Sequence, residues 1–125
     1  MKYSVDKTEK YTKLTLEEEK LDTLKAPKLK SELVTLYQSG TVNLILNLNQ
    51  VKYVDSSGLS AVLVAHRMSK ELKGCLILVG VSDHVMKLVK ISKLENVLTI
   101  LPTNEEAVDA VFLMEIEKDL ENDEE

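Results

Sequence analysis

The sequence predicts a single α/β domain, in which a mixed sheet with parallel central strands packs against about four helices. The length of 125 residues is typical of one domain. Strand and helix patterns alternate after residue 24, which is the order found when helices connect parallel strands. Two continuous apolar runs, residues 43–48 and 75–79, indicate central strands that are covered on both faces.

Two strands are predicted before the first helix. Residues 2–6 form a short first strand. Tyr11–Glu17 then alternates polar and apolar side chains with a period of two, which predicts a strand that is buried on one face. The charged residues 17–20 interrupt this alternation, so we expect a polar strand end or a loop there.

The first helix is predicted over residues 24–39. Asp22 or Thr23 precedes it and offers a side-chain oxygen to the free amides of its first turn. Leucines recur within it at helical spacing, and Gly40 supplies a C-terminal stop. The apolar strand 43–48 follows.

The middle of the chain predicts a strand, a helix and a second strand. Val51–Val54 is a short apolar segment that leads into Asp55-Ser56-Ser57-Gly58, where a helix over residues 57–73 begins. Gly74 ends this helix before the apolar strand 75–79. Apolar residues occupy a wide part of its surface, so we expect the helix to be largely buried or covered by a partner.

A third helix and a last strand follow. The helix is predicted over residues 83–91, and either Ser82 or Asp83 can cap it. The strand is predicted at residues 97–101, where a short apolar segment ends before a proline.

The fourth helix is predicted over residues 104–117. Thr103 and the glutamate three residues later have the spacing of a capping box. Seven of the 21 acidic residues but only one of the 16 basic residues lie within Glu115–Glu125, and acids at a helix C-terminus oppose its dipole. We therefore expect one domain over residues 1–117 and an acidic, disordered tail over residues 118–125.

Composition and charge argue against several classes of function. The net charge is −5 and is concentrated in the tail, so the domain lacks the positive surface of a nucleic-acid-binding protein. Only one Phe, four Tyr and no Trp are present for base stacking. We find no secretory signal and no apolar stretch of about 18 residues, which predicts a soluble cytoplasmic protein without membrane insertion.

The residues that most often carry chemistry are scattered. Cys75, the only cysteine, lies in an apolar strand and is expected to pack in the interior. His66 lies on a mostly apolar helix face and is expected to pack there, whereas His84 is expected at the surface. The four glycines form no phosphate loop, and the cysteine and histidines lack the spacing of metal ligands. We therefore predict no catalytic residue, no metal site and no cofactor, and expect that the protein is not an enzyme.

The most informative segment is Tyr53–Ala61, where an apolar strand ends and a helix begins. Ser56 and Ser57 lie there between Asp55 and Gly58. One interpretation is structural: Asp55 or Ser56 caps the helix, and Gly58 permits a tight turn. The other is functional, because an exposed hydroxyl at a helix N-terminus can be phosphorylated, which adds about −1.5 to −2 charges beside tolerant helix amides. Such a charge would repel a docked partner without any refolding.

The stretch Val42–Leu59 resembles the central signature of the STAS family, to which bacterial anti-sigma factor antagonists belong. A strand that ends in Asn-Leu is followed by a short spacer and by Asp-Ser-Ser-Gly-Leu. Three later segments resemble the family's next strand, its next helix and the start of its last helix: residues 74–82, 85–94 and 103–108. The resemblance covers residues 5–114. It departs from the family in the turn after the second strand, at Glu18–Asp22, where only Leu21 and Asp22 match and the usual turn glycine is absent.

This resemblance implies a phosphorylation-controlled protein-binding regulator. In such antagonists the anti-sigma factor is a serine kinase, and it phosphorylates the first serine after the aspartate, which is Ser56 here. The dephosphorylated form binds the kinase, the phosphorylated form releases it, and a phosphatase resets the cycle. The resemblance implies further partner contacts at Asp22, Asp55, Ser57, Gly58 and Leu59. We expect a monomer or a weak dimer.

Two other functions are compatible with the sequence. In the first, the chain is a non-switching STAS subunit of a lipid-transport or stress-signalling assembly, and Ser56 is only a helix cap. In the second, it is a small enzyme or nucleotide-binding domain, which the missing phosphate loop, metal ligands and nucleophile–base pair disfavour.

Overall fold

The structure is a computed structural model that describes residues 1–124 of the chain. Within them the elements are β1 (Tyr3–Lys7), β2 (Thr12–Leu16), β3 (Lys20–Leu21), α1 (Ala26–Gln38), β4 (Leu44–Asn47), β5 (Tyr53–Val54), α2 (Ser56–Glu71), β6 (Leu76–Val79), α3 (Asp83–Ile91), β7 (Thr99–Leu101) and α4 (Asn104–Glu124). The predicted α/β class and its four helices are confirmed for this part of the chain.

Five of the strands form one mixed sheet in the order β1-β2-β4-β6-β7. β1 runs antiparallel to β2, and the pairs β2–β4, β4–β6 and β6–β7 are parallel. The prediction of parallel central strands over the two apolar runs is therefore confirmed. Both central strands, β4 and β6, are buried along their whole length.

The two faces of the sheet are covered by different helices. One face carries a leucine-rich core shared with α1, α2 and α3, and its sheet residues are Leu14, Leu16, Leu44, Leu46, Leu76 and Leu78. The other face is smaller, and its buried residues Ile45, Ile77 and Val79 pack against Ala107 and Val111 of α4. α4 alone thus covers the second face among the helices described.

α1 and α2 are joined through a buried tyrosine. Tyr37 of α1 donates its hydroxyl hydrogen bond to the carbonyl of Ala65 at 3.1 Å and contacts the buried Ser69 hydroxyl. Burial raises the pKa of Tyr37 to about 12. This bond helps to fix α2, whose first turn carries Ser56.

The prediction of a strand end or loop at residues 17–20 holds for residues 17–19, which connect β2 to β3, and is corrected at Lys20, which begins a strand. β3 pairs in parallel with β5, with Lys20 opposite Tyr53 and Leu21 opposite Val54. These two strands form a ribbon outside the main sheet. Leu21 is completely buried, so the ribbon is anchored in the core.

The first helix starts at Ala26, two residues later than predicted. Neither of its predicted cap residues, Asp22 or Thr23, caps it through its side chain. Lys25 is the N-cap residue and makes no side-chain capping bond. The carbonyl of Asp22 accepts hydrogen bonds from the amides of Lys25 and Ala26 at 3.0 and 2.8 Å. The hydroxyl of Thr23 instead donates a hydrogen bond to the carboxylate of Asp55.

The last helix is longer than predicted. Thr103 caps its start as expected, since its hydroxyl accepts from the amide of Glu106 at 3.2 Å. The predicted helix end near residue 117 is wrong, because α4 continues to Glu124. An ion pair between Lys118 and Glu115, 3.8 Å apart, lies where the helix passes its predicted end.

The division into a domain over residues 1–117 and a tail over 118–125 stays a prediction, and Glu125 lies outside the described residues. We expect a chain that ends at Lys118 to lose less than about 1 kcal/mol, and thus no more than about 4 °C in melting temperature. Truncation leaves the contacts of Glu115 and Lys118 in place. Thermal unfolding followed by circular dichroism measures this, and a larger loss would mean that the removed residues support the fold.

Candidate functional site

Asp55 links the end of β5 to the start of α2. It is the N-cap residue of α2, and its Oδ1 accepts a hydrogen bond from the amide of Gly58 at 2.9 Å. Ser56 is therefore the first residue of the helix and not its cap. Of the two capping residues that the sequence left open, the structure selects Asp55.

The second carboxylate oxygen of Asp55 binds the loop between β3 and α1. Asp55 Oδ2 accepts from both the amide and the hydroxyl of Thr23, each at 3.1 Å. The Thr23 hydroxyl also lies 3.2 Å from the hydroxyl of Ser57. Thr23 is thus a site residue that the sequence analysis assigned only as a possible helix cap.

These bonds favour the ionised form of Asp55. The amide of Gly58 lowers the pKa of the Asp55 carboxyl most strongly. Desolvation, the next largest effect, raises this pKa, and the side chain and amide of Thr23 lower it again. The negative charge also lies at the positive end of the α2 dipole, which stabilises it.

Ser56 and Ser57 differ in exposure. The side chain of Ser56 is exposed, whereas Ser57 is half-buried beside Thr23. The first turn of α2 contains no acidic residue. Because the carboxylate of Asp55 already accepts from the Gly58 amide, an anion added at Ser56 would lie beside a negative charge as well as beside the amides of the helix start.

Gly58 and Leu59 lie beneath the surface. Both are buried, with Leu59 7% exposed. A Cβ atom on Gly58 would overlap the carbonyl oxygen of Leu21 and lie 2.9 Å from side-chain carbons of Leu21 and Val54. Glycine is thus required for the close approach of α2 to the β3–β5 ribbon, and these two residues position the surface from below. Their direct contact with a partner stays a prediction.

Asp22 shapes the loop beside the site. It is half-buried, and its Oδ1 accepts from the amide of Leu24 at 3.1 Å. The bond forms an Asx turn that exposes Leu24. The predicted partner contact of Asp22 itself is not tested.

Two exposed apolar side chains lie on the segments that the hydrogen bonds of Asp55 join. Leu24, next to Thr23, is 81% exposed, and Tyr53, two residues before Asp55, is 43% exposed. The Tyr53 ring stacks on His84 of α3, with ring centroids 5.5 Å apart. His84 was expected at the surface and is exposed, but the sequence does not predict this stacking. The candidate site thus combines the exposed Ser56 with exposed apolar side chains on neighbouring segments.

Cys75 and His66, the remaining chemical candidates, are both half-buried, and Cys75 packs against the smaller core. Cys75 is half-buried, and burial raises the pKa of its thiol to about 11, so the reactive thiolate is scarce at neutral pH. Burial, followed by the charge of Lys70, lowers the pKa of His66. In the described part of the chain, no three His, Cys, Asp or Glu side chains come together in a way that could hold a metal ion.

No helix within residues 1–124 combines the length and the apolar character needed to span a bilayer.

Comparison with known proteins identifies the family of the chain as that of the STAS domain. The family model of the STAS domain matches residues 2–107, so the chain belongs to this family. It is 30% identical over 80 residues to the anti-sigma-B factor antagonist of Listeria monocytogenes, which covers 64% of this chain and 70% of that protein.

Two solved structures share the fold. An anti-sigma-factor antagonist (STAS) domain protein from Planctomyces limnophilus superposes with a TM-score of 0.80 at 18% identity, over 87% of this chain and 97% of the other. The Bacillus cell fate determinant SpoIIAA in its phosphorylated form superposes with a TM-score of 0.69 at 25% identity, over 88% of this chain and 99% of the other.

We expect Gly58→Ala to destabilise the fold by about 1–3 kcal/mol, because the added methyl group must displace Leu21 or the start of α2. Ser60→Ala, a small change two residues further along the same helix, is the control. Denaturant unfolding of both variants measures the effect. Equal stability of the two would contradict the close contact between α2 and the ribbon.

Asp55→Ala should lower the melting temperature in a pH-dependent way. The folded-state pKa of Asp55 lies below that of the unfolded chain, so its contribution is present above about pH 4 and is lost as the pH falls through the folded-state value. The difference from the unsubstituted protein should therefore be largest near about pH 7 and shrink on acidification. Asp6→Ala, at an exposed carboxylate of β1, is the control. A pH-independent difference would show that the charge of Asp55 has no part in the effect.

Proposed function

We propose that this protein binds and antagonises an anti-sigma factor that is itself a serine kinase. Phosphorylation of Ser56 by this kinase ends the interaction. The observation that carries the proposal is the exposed Ser56 hydroxyl, held at the first position of α2 directly after the capping Asp55. Family membership and a relative named as an anti-sigma-B factor antagonist support it. In this function the protein is a binding partner and the substrate of an enzyme, not an enzyme itself.

The binding surface surrounds Ser56. Leu24 and the Tyr53–His84 stack supply exposed apolar and aromatic area, and aromatic side chains are enriched where interfaces are most strongly bound. Thr23 and Asp55 hold the loop and the helix in one arrangement beneath it. A partner therefore meets a preformed surface, and little ordering of the chain opposes binding.

Phosphorylation changes the charge of this surface but leaves in place the hydrogen bonds that Asp55 makes with Thr23 and Gly58. The kinase transfers the terminal phosphoryl group of its nucleoside triphosphate to Ser56 Oγ, the bond between that phosphorus and the bridging oxygen breaks to release the nucleoside diphosphate, and a base of the kinase takes the hydroxyl proton. The product carries about −1.5 to −2 charges beside the ionised Asp55. A partner that fits the neutral hydroxyl would have to bury this charge, which costs on the order of 2–5 kcal/mol when it has no counter-charge. A phosphatase then restores the binding form.

Three variants separate this switch from simple capping. Ser56→Ala should fold with a change below about 0.5 kcal/mol, because Ser56 is exposed and is not the cap. It should bind the kinase like the unmodified protein but accept no phosphate. Ser56→Asp should bind more weakly, by about 30-fold or more. Ser57→Ala, which removes the half-buried neighbouring hydroxyl, should still be phosphorylated.

The measurement is isothermal calorimetry with the purified anti-sigma factor kinase, together with intact mass and site mapping after incubation with nucleoside triphosphate. Equal binding of all forms, with no phosphate on Ser56 or Ser57, would support the non-switching STAS subunit instead. Phosphate on Ser57 alone would show that Ser57, and not Ser56, is the phosphorylated residue.

A further inference from the structure

α4 has apolar residues on two opposite sides, and the sheet covers only one of them. Ala107 and Val111 are completely buried against the second face of the sheet. Ile116 and Leu120 each lie nine residues further along, which is about two and a half turns and therefore the opposite side of the helix. Both are 58% exposed.

We define the outer α4 face as the exposed side chains of Phe112, Leu113, Ile116 and Leu120. Phe112 is 44% and Leu113 60% exposed. The face extends over about 12 Å of helix. Leu113, Ile116 and Leu120 follow each other at intervals of three and four residues, which is the spacing of one coiled-coil seam. The face thus has the pattern that a second helix can pack against.

Negative charge borders the outer α4 face. Between Asn104 and Glu121 the exposed charged residues are all acidic: Glu105, Glu106, Asp109, Glu117, Asp119 and Glu121. Lys118 is half-buried and lies 3.8 Å from Glu115, on the side that faces the sheet. Glu117 and Asp119 occupy the positions that flank the seam, where charge selects the partner helix.

This charge distinguishes between the possible occupants. A second copy of α4 would bring the same carboxylates against each other, and like charges across an interface oppose association. Helices that lie on membranes carry Lys and Arg beside their apolar face, whereas this helix carries acids. A helix with basic flanks satisfies both the apolar seam and its border.

We propose that the outer α4 face binds an amphipathic helix of a partner protein, with leucine or isoleucine side chains along its seam and Lys or Arg on both flanks. This face is separate from the surface around Ser56. Asn104, at the start of α4, lies 3.4 Å from Asn47 at the carboxyl end of β4, whereas Glu115 lies 2.8 Å from Asn43 at the other end. The outer face begins near that far end, so it does not depend on the proposed phosphorylation.

The test uses the full chain and two designed peptides of about three heptads, both with Leu at the a and d positions. One peptide carries Lys and the other Glu at the e and g positions. Fluorescence anisotropy should show binding of the Lys peptide and not of the Glu peptide, weaker at high salt. Leu113→Ser with Ile116→Ser should weaken binding at least about tenfold, since two apolar contacts are lost. Ile91→Ser with Val97→Ser, which removes two exposed apolar side chains elsewhere, should leave it unchanged.

Charge reversal tests the specificity. Glu117→Lys with Asp119→Lys should exchange the preference, so that the Glu peptide binds and the Lys peptide does not. Ser56→Asp should bind the Lys peptide like the unsubstituted chain. Equal binding by the Leu113→Ser/Ile116→Ser variant overturns the proposal. So does a dimer in sedimentation equilibrium that this variant dissociates, or binding of the chain to anionic vesicles through the same face.

Discussion

The carboxylate of Asp55 connects the segments that meet beside Ser56. It accepts hydrogen bonds from Gly58 in the first turn of α2 and from Thr23 in the loop before α1. The backbone adds a further link, because the amide of Asp55 donates to the carbonyl of Leu21 at 3.3 Å. Since Gly58 has no side chain, α2 can begin in direct contact with the β3–β5 ribbon. Ser56 is exposed, yet the position of its backbone is determined by all of these contacts.

What the sequence predicts well is local. Asp55, Ser56 and Gly58 lie within four residues, so the start of α2 follows from residue type and spacing. Thr23 and Asp55 are 32 positions apart in the sequence, and no local sequence pattern predicts the hydrogen bond between them. The ribbon has the same difficulty, because two-residue strands are too short to show a period. Thr23 has the side chain of a helix cap, and only the fold shows that its hydroxyl binds Asp55 instead.

The orientation of α4 was equally beyond the sequence. Apolar residues on two opposite sides obscure the single stripe by which a sequence normally shows the buried side of a helix. The structure places the side of Ala107 and Val111 on the sheet, and small side chains there allow a close approach. Asn43 fixes the far end: it is buried, donates to Glu115 at 2.8 Å, and accepts from the amide of Cys75 at 3.1 Å. The packing of Ala107 and Val111 and this contact across 72 positions both place the opposite apolar side of α4 toward solvent.

The two proposed surfaces respond to different physical controls. Phosphorylation of the single Ser56 hydroxyl would add charge to the surface around it. The affinity of this surface for its partner would then change while the hydrogen bonds of Asp55 stay intact. The outer α4 face carries permanent carboxylates, so its affinity depends on the charge of the partner and on salt. The ends of β4 that anchor α4, at Asn43 and Asn47, are about 13 Å apart along the strand. If both proposals hold, a protein bound through α4 stays in place while the partner at Ser56 is exchanged, because α2 and α4 pack on opposite faces of the sheet.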